Sequence, residues 1–78
     1  MDIVLRIKEE YRKLTKSEKK VADYFIDNYK DAINESTQSI AVATDTSPAT
    51  VIRFVKTLKF DGLQQLKLAI AADMDSQK

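Results

Sequence analysis

The chain has 78 residues, a net charge of +1 and 44% hydrophobic residues, enough for one small domain with a single modest core. It contains neither Cys nor His, which excludes a disulfide framework, a cysteine-ligated zinc site and the Ser-His and Cys-His catalytic pairs. One Gly and one Pro are too few turn residues for a β-sandwich or barrel, so the composition predicts an all-α domain spanning 1–78.

Charge is unevenly spread. Residues 1–20 and 47–67 each carry a net +3, whereas residues 21–36 carry −3. The basic charge therefore collects on an N-terminal arm and on a segment near residue 53. No apolar run approaches the length of a membrane span, and the N-terminus is amphipathic rather than leader-like. The expected compartment is the cytoplasm, with no membrane partner.

The first predicted helix runs from about Asp2 to Arg12. Ile3, Val4, Ile7 and Tyr11 recur at helical spacing, with Leu5 beside them. This stripe reads either as core or as a seam for a second subunit, with Ile3 and Ile7 at its centre. The second helix opens on Thr15-Lys16-Ser17-Glu18, a capping box in which Thr15 and Glu18 satisfy each other's amides. Val21, Ala22, Phe25 and Ile26 form its buried stripe, and it should end near Asn28-Tyr29. Lys16, Lys19 and Lys20 form a solvated face or a phosphate-contacting one.

Residues 30–35 read as a weak short helix with Ala32 and Ile33 inward. Ser36 or Thr37 then caps a helix over 37–43, with Ala41 small where two helices cross, and with Ile40 and either Val42 or Ala43 buried. Thr44-Asp45-Thr46 is a turn in which Asp45 can take positive φ, as Asp does more readily than most residues. A helix from Ser47 to about Lys59 follows. Ser47 caps it and Pro48 occupies its first turn. At 100° per residue, Val51, Phe54, Val55 and Leu58 point one way, and Ala49, Arg53 and Lys56 the other. The last helix starts at Asp61, with Gln64 as its capping partner, and continues through Leu63, Leu66, Leu68, Ile70 and Ala71 to about Met74.

Residues 37–58 have the layout of a helix-turn-helix, in which the second helix enters the major groove of DNA. Its outer face is small at the start and cationic further along. A small start lets the helix end approach base edges, and Arg can bind guanine bidentately. The competing reading is a helical protein-interaction or dimerisation module without nucleic acid. An adhesive face would carry aromatic anchors, and Tyr11, Tyr24 and Tyr29 all lie elsewhere. Nothing in the chain composes a nucleophile-base pair, a metal cluster or a phosphate loop, so no catalytic residue, cofactor or metal is expected.

Two segments, Leu14 to Tyr24 and Ser47 to Leu63, resemble the N-terminal domain of RpiR-type bacterial transcription regulators. The likeness covers nearly the whole chain. It implies a homeodomain-like, five- to six-helix domain that binds double-stranded operator DNA as a homodimer. By position, Ser47, Pro48, Ala49, Thr50 and Arg53 would read or approach bases. Thr37, Gln38, Lys56, Lys59 and Lys67 would contact phosphates. In such regulators a sugar-isomerase-like domain follows and senses phosphosugars, so the effector site would lie outside this chain. The sequence departs from the family pattern at three places. Lys59 stands where Gly is usual, which costs roughly 1 kcal/mol if the helix ends in left-handed geometry. Leu63 replaces Phe, and Thr44 and Thr46 are polar beside the turn.

Overall fold

Helix starts in this chain are set by side chains that accept orphaned backbone amides. The computed structural model describes residues 2–76; Met1, Gln77 and Lys78, which the single-domain reading includes, lie outside the described residues. Helix α1 spans Ile3–Glu10, with Asp2 accepting the Leu5 N–H at 3.2 Å. One turn of 3-10 helix, Tyr11–Lys13, extends it. Helix α2 spans Lys16–Ala32 behind the expected capping box, whose two bonds measure 2.8 and 3.2 Å. Helix α3 is Thr37–Ala43, and its cap is Ser36, which accepts the Ser39 N–H at 3.0 Å. Helix α4 is Pro48–Thr57 behind Ser47, and α5 is Leu63–Ser76. Among the described residues there is no strand.

No separate helix forms over 30–35. Helix α2 kinks at Asn28 (φ −136°, ψ 30°) and then resumes to Ala32. The kink falls where the sequence placed the helix end, and Asn28 answers it by donating its side-chain amide to the Tyr24 carbonyl at 3.3 Å. Resumption buries Ala32. The hydroxyl of Tyr24 donates to Glu35 and ties the segment after α2 back onto that helix.

The core is the meeting of the inward stripes. Ile3 and Ile7 of α1 are fully buried in this domain's own interior, so the seam reading fails for them; Leu5 is the exposed large apolar residue of that helix. Helix α4 packs chiefly on α2 and α3, while α5 lies across α1, α2 and α4. At the centre the Phe25 and Phe54 rings stack, with centroids 5.5 Å apart and 24° between planes. Such a pair adds about 0.5–1.5 kcal/mol beyond the area it buries. On α3, Ile40 and Ala41 are buried while Val42 is 82% exposed and Ala43 is exposed as well. The expectation of a buried Val42 or Ala43 is therefore corrected: the crossing against α4 falls on the 40–41 edge, where small Ala41 allows close approach.

Candidate nucleic-acid interface

Two hydroxyl-capped helices joined at a fixed angle require a tight turn, and the turn here is a Schellman motif. The Asp45 N–H donates to the Val42 carbonyl at 3.2 Å and the Thr46 N–H to the Ala41 carbonyl at 2.9 Å. Asp45 takes φ 55° at the left-handed position, as its residue type predicted. Thr44 is polar and buried, but its Oγ1 lies 2.8 Å from the Ile40 carbonyl oxygen and 2.8 Å from Thr46 Oγ1. A hydroxyl so partnered carries little desolvation penalty, which accounts for the polar residues around this turn.

The C-terminal end of α4 repeats the same geometry. The Lys59 N–H donates to Lys56 at 2.9 Å and the Phe60 N–H to Val55 at 3.3 Å, with Lys59 at φ 73°. The departure from Gly is thus accommodated with left-handed backbone at Lys59 rather than by a different helix end. At the start of α5 the order differs from the expected box: Gln65, not Gln64, accepts the Asp61 N–H, at 3.1 Å. The Gly62 carbonyl accepts from Leu66 as the helix begins.

Between these two turns α4 shows two distinct faces. Val51, Phe54, Val55 and Leu58 are fully buried. Ser47, Pro48, Ala49, Arg53 and Lys56 are exposed, and Lys59 is exposed just beyond the helix. Gln38 is exposed and Thr37 half-buried at the start of α3, and Lys67 is half-buried on α5. Gln38 lies beside Ser39, Val42 and Ala43 in a shallow depression on the outer side of α3.

Thr50 does not belong to the exposed set. It is only 4% exposed, so its side chain cannot reach a base edge as expected. At 100° per residue it sits on the border of the buried stripe beside Val51 and turns toward the helix surface. Its Oγ1 lies 3.0 Å from Ser47 Oγ and accepts a guanidinium N–H of Arg53 at 3.2 Å.

Two further residues escaped sequence reasoning. Arg6 of α1 donates to the carbonyl of Leu58, the residue that caps the C-terminal end of α4, and its guanidinium lies 4.9 Å from the Phe60 ring centroid. It thereby fixes the end of α4 to α1 and places positive charge where the helix dipole is negative. Its partner is a backbone oxygen 52 positions away, for which no sequence signal exists. Asp73 is buried and accepts the Ile3 N–H at 2.5 Å, joining α5 to the start of α1. Here a signal was present, since Asp73 falls on the same face of α5 as Leu66 and Ile70.

A bundle of short helices that presents one capped, outward-facing cationic helix behind a left-handed turn is a helix-turn-helix DNA-binding domain. The comparisons with known proteins agree: the rpiR-family helix-turn-helix domain matches residues 1–77, and this chain belongs to that family of transcription-regulator domains. It is 37% identical over 76 residues to an HTH-type transcriptional regulator of Caldanaerobacter subterraneus subsp. tengcongensis, covering 97% of this chain and 27% of that protein. The solved N-terminal domain of the transcriptional regulator YbbH from Bacillus subtilis superposes with a TM-score of 0.82 at 35% identity, over 87% of this chain and 83% of that one. The Vibrio vulnificus NanR protein, solved in complex with ManNAc-6P, gives a TM-score of 0.91 at 26% identity, over 97% of this chain and 29% of that one. The chain thus spans about a quarter of the length of the curated relatives it matches.

Proposed function

We propose that this domain binds double-stranded operator DNA sequence-specifically, with α4 in the major groove, as the reading end of a bacterial regulator of sugar or phosphosugar metabolism. The observation that carries this is the outer face of α4: small at Ser47, Pro48 and Ala49, cationic at Arg53 and Lys56, and exposed throughout. Ser47, Pro48, Ala49 and Arg53 lie at the base edges. Thr37, Gln38, Lys56, Lys59 and Lys67 neutralise or bond phosphates. Among the described residues no helix is long and apolar enough to cross a membrane, and we place the protein in the cytoplasm. The functional unit is a homodimer, because two reading helices must reach half-sites about 34 Å apart. Since Ile3 and Ile7 are core, most of the association comes from a further domain of the regulator. That domain is sugar-isomerase-like and takes the phosphosugar effector, a reading supported by the ManNAc-6P bound to the related NanR. The part described here performs no catalysis and holds no cofactor.

The test is a titration of the parent and of Arg53→Ala and Lys56→Ala on selected and scrambled duplexes across a salt series. Arg53→Ala should cost roughly 1–3 kcal/mol on the selected site and relax preference at one or two base pairs. Lys56→Ala should weaken both duplexes alike and lower the salt slope by roughly one. Equal loss on both duplexes for Arg53→Ala would demote it to a backbone contact.

A further inference from the structure

The hydrogen-bond chain beneath the outer face of α4 has only one proton arrangement that leaves no buried donor unpaired. An Arg guanidinium has no acceptor, so at the 3.2 Å contact Thr50 Oγ1 accepts from Arg53. Ser47 Oγ accepts the Thr50 N–H at 3.2 Å as the helix cap. The remaining bond, 3.0 Å between the two hydroxyls, could run either way. If Ser47 donated, the Thr50 proton would be enclosed at 4% exposure without an acceptor. Thr50 therefore donates to Ser47. That fills both lone pairs of Ser47 Oγ, one with the Thr50 amide and one with the Thr50 hydroxyl, and leaves Ser47 its own hydrogen alone.

The consequence is an outer edge that offers donors only. Ser47 presents one O–H and Arg53 its remaining guanidinium N–H groups. Pro48 has no N–H, and the Ala49 side chain has no polar atom. In the major groove guanine presents two acceptors, N7 and O6. Adenine sets an amino donor beside its acceptor, and cytosine presents an amino donor. A donor-only edge matches both acceptors of guanine, finds a single acceptor on thymine (O4, beside the methyl group), and meets an unfavourable donor on adenine and cytosine.

We propose that Thr50 is a positioning residue: its buried hydroxyl orders the Ser47 and Arg53 protons and fixes the guanidinium, and so sets a guanine preference that neither exposed residue would hold alone. This rests on the reading of α4 as the groove helix. Without the Thr50 bond, the Arg53 side chain must lose rotamer freedom on binding that it has otherwise already surrendered.

The experiment uses this 78-residue chain and a random-sequence duplex library, from which the parent selects its site. The parent, Thr50→Val, Thr50→Ser, Arg53→Ala and the Thr50→Val/Arg53→Ala double variant are then titrated on the selected and scrambled duplexes, with melting curves alongside. Thr50→Val is nearly isosteric and keeps the backbone N–H that Ser47 caps. It should retain the parent's helicity and lose about 3- to 10-fold in the ratio of selected to scrambled affinity, the value of one net hydrogen bond. Thr50→Ser should restore the ratio, and the double variant should lose no more than Arg53→Ala alone. Replacing the contacted guanine by 7-deazaguanine should penalise the parent more than Thr50→Val. If Thr50→Val does not fold, Thr50→Ala carries the same measurement. An unchanged ratio for the Thr50 variants, with Arg53→Ala still impaired, overturns the role of Thr50 and leaves the groove reading standing. A loss shared equally by both duplexes, or a Thr50→Ser variant as impaired as Thr50→Val, overturns it as well. A parent that selects no site even when two copies are joined so that both half-sites can be reached removes the groove reading itself.

Discussion

Replacing Lys59 by Gly should stabilise the domain, because Lys59 is held at φ 73°, where an L-residue with a Cβ is strained by roughly 1–2 kcal/mol. The strain is enforced by the Schellman bonds of the Lys59 and Phe60 amides to the Lys56 and Val55 carbonyls, 2.9 and 3.3 Å long. Glycine removes that strain but adds roughly 0.4–1 kcal/mol of freedom to the unfolded chain. The difference is a net gain of roughly 0.7 kcal/mol, which for a domain of this size raises the melting temperature by roughly 3–6 °C. The assay is thermal unfolding followed by circular dichroism, with Lys59→Ala as the control. Alanine removes the same charge and keeps the Cβ, so it should gain nothing from the backbone. Asp45→Gly serves as an internal comparison at the other Schellman turn (φ 55°). Its gain should be near zero, because Asp already tolerates that region. On DNA the Gly and Ala variants of Lys59 should behave alike, each lowering the salt slope by roughly one if the ammonium meets a phosphate. A Gly variant that melted no higher than the Ala variant would refute the claim that this helix end stores strain.

Other outcomes follow from the same geometry. Phe54→Ala should cost roughly 3–5 kcal/mol of a total stability of about 4–12 kcal/mol for a chain of this length, since it opens a cavity against the stacked Phe25 ring; urea unfolding measures it, and a parent-like midpoint would mean the inner face of α4 is misassigned. Asp45→Val should destabilise by more than 1 kcal/mol, because a β-branched residue is an outlier at positive φ; calorimetry against the Gly variant reads the difference. The Tyr11 phenol should titrate above its ordinary 10.0, held up first by the 3.0 Å hydrogen bond to Asp23, then by burial and by the charge of that carboxylate. Tyr11 is an acid whose folded value is raised, so the stability it contributes is present below about pH 10 and is lost as pH rises through the folded value. Ultraviolet difference titration against Tyr11→Phe checks this, and a phenol that ionised at or below the ordinary value would refute it.

Local physics made much of this protein legible from its residue order. The Thr15–Glu18 capping box, the Ser47 cap with Pro48 in the first turn, the positive φ of Asp45 and the two faces of α4 depend on residues within a turn or two of one another. Such interactions keep the same sign wherever the helix is placed. The class of the site followed, because a reading helix is recognised by its own periodicity and charge. What residue order left open was settled by contacts between distant segments. Whether α1 was seam or core depended on where its stripe landed, and Ile3 and Ile7 landed inside. Which edge of α3 was buried depended on its crossing with α4, which selected Ala41 over Val42. Asn28 bent α2 without ending it, because continuing the helix buried Ala32. Thr50 lies at the border of two faces, where a rotation of a few tens of degrees separates a base reader from a buried support. Only the packing of α4 on α2 and α3 fixed that rotation. Arg6 and Asp73 found partners 52 and 70 positions away. Pairing at that separation is a property of the assembled tertiary structure, because the loop between the partners is closed by the whole core and not by either residue.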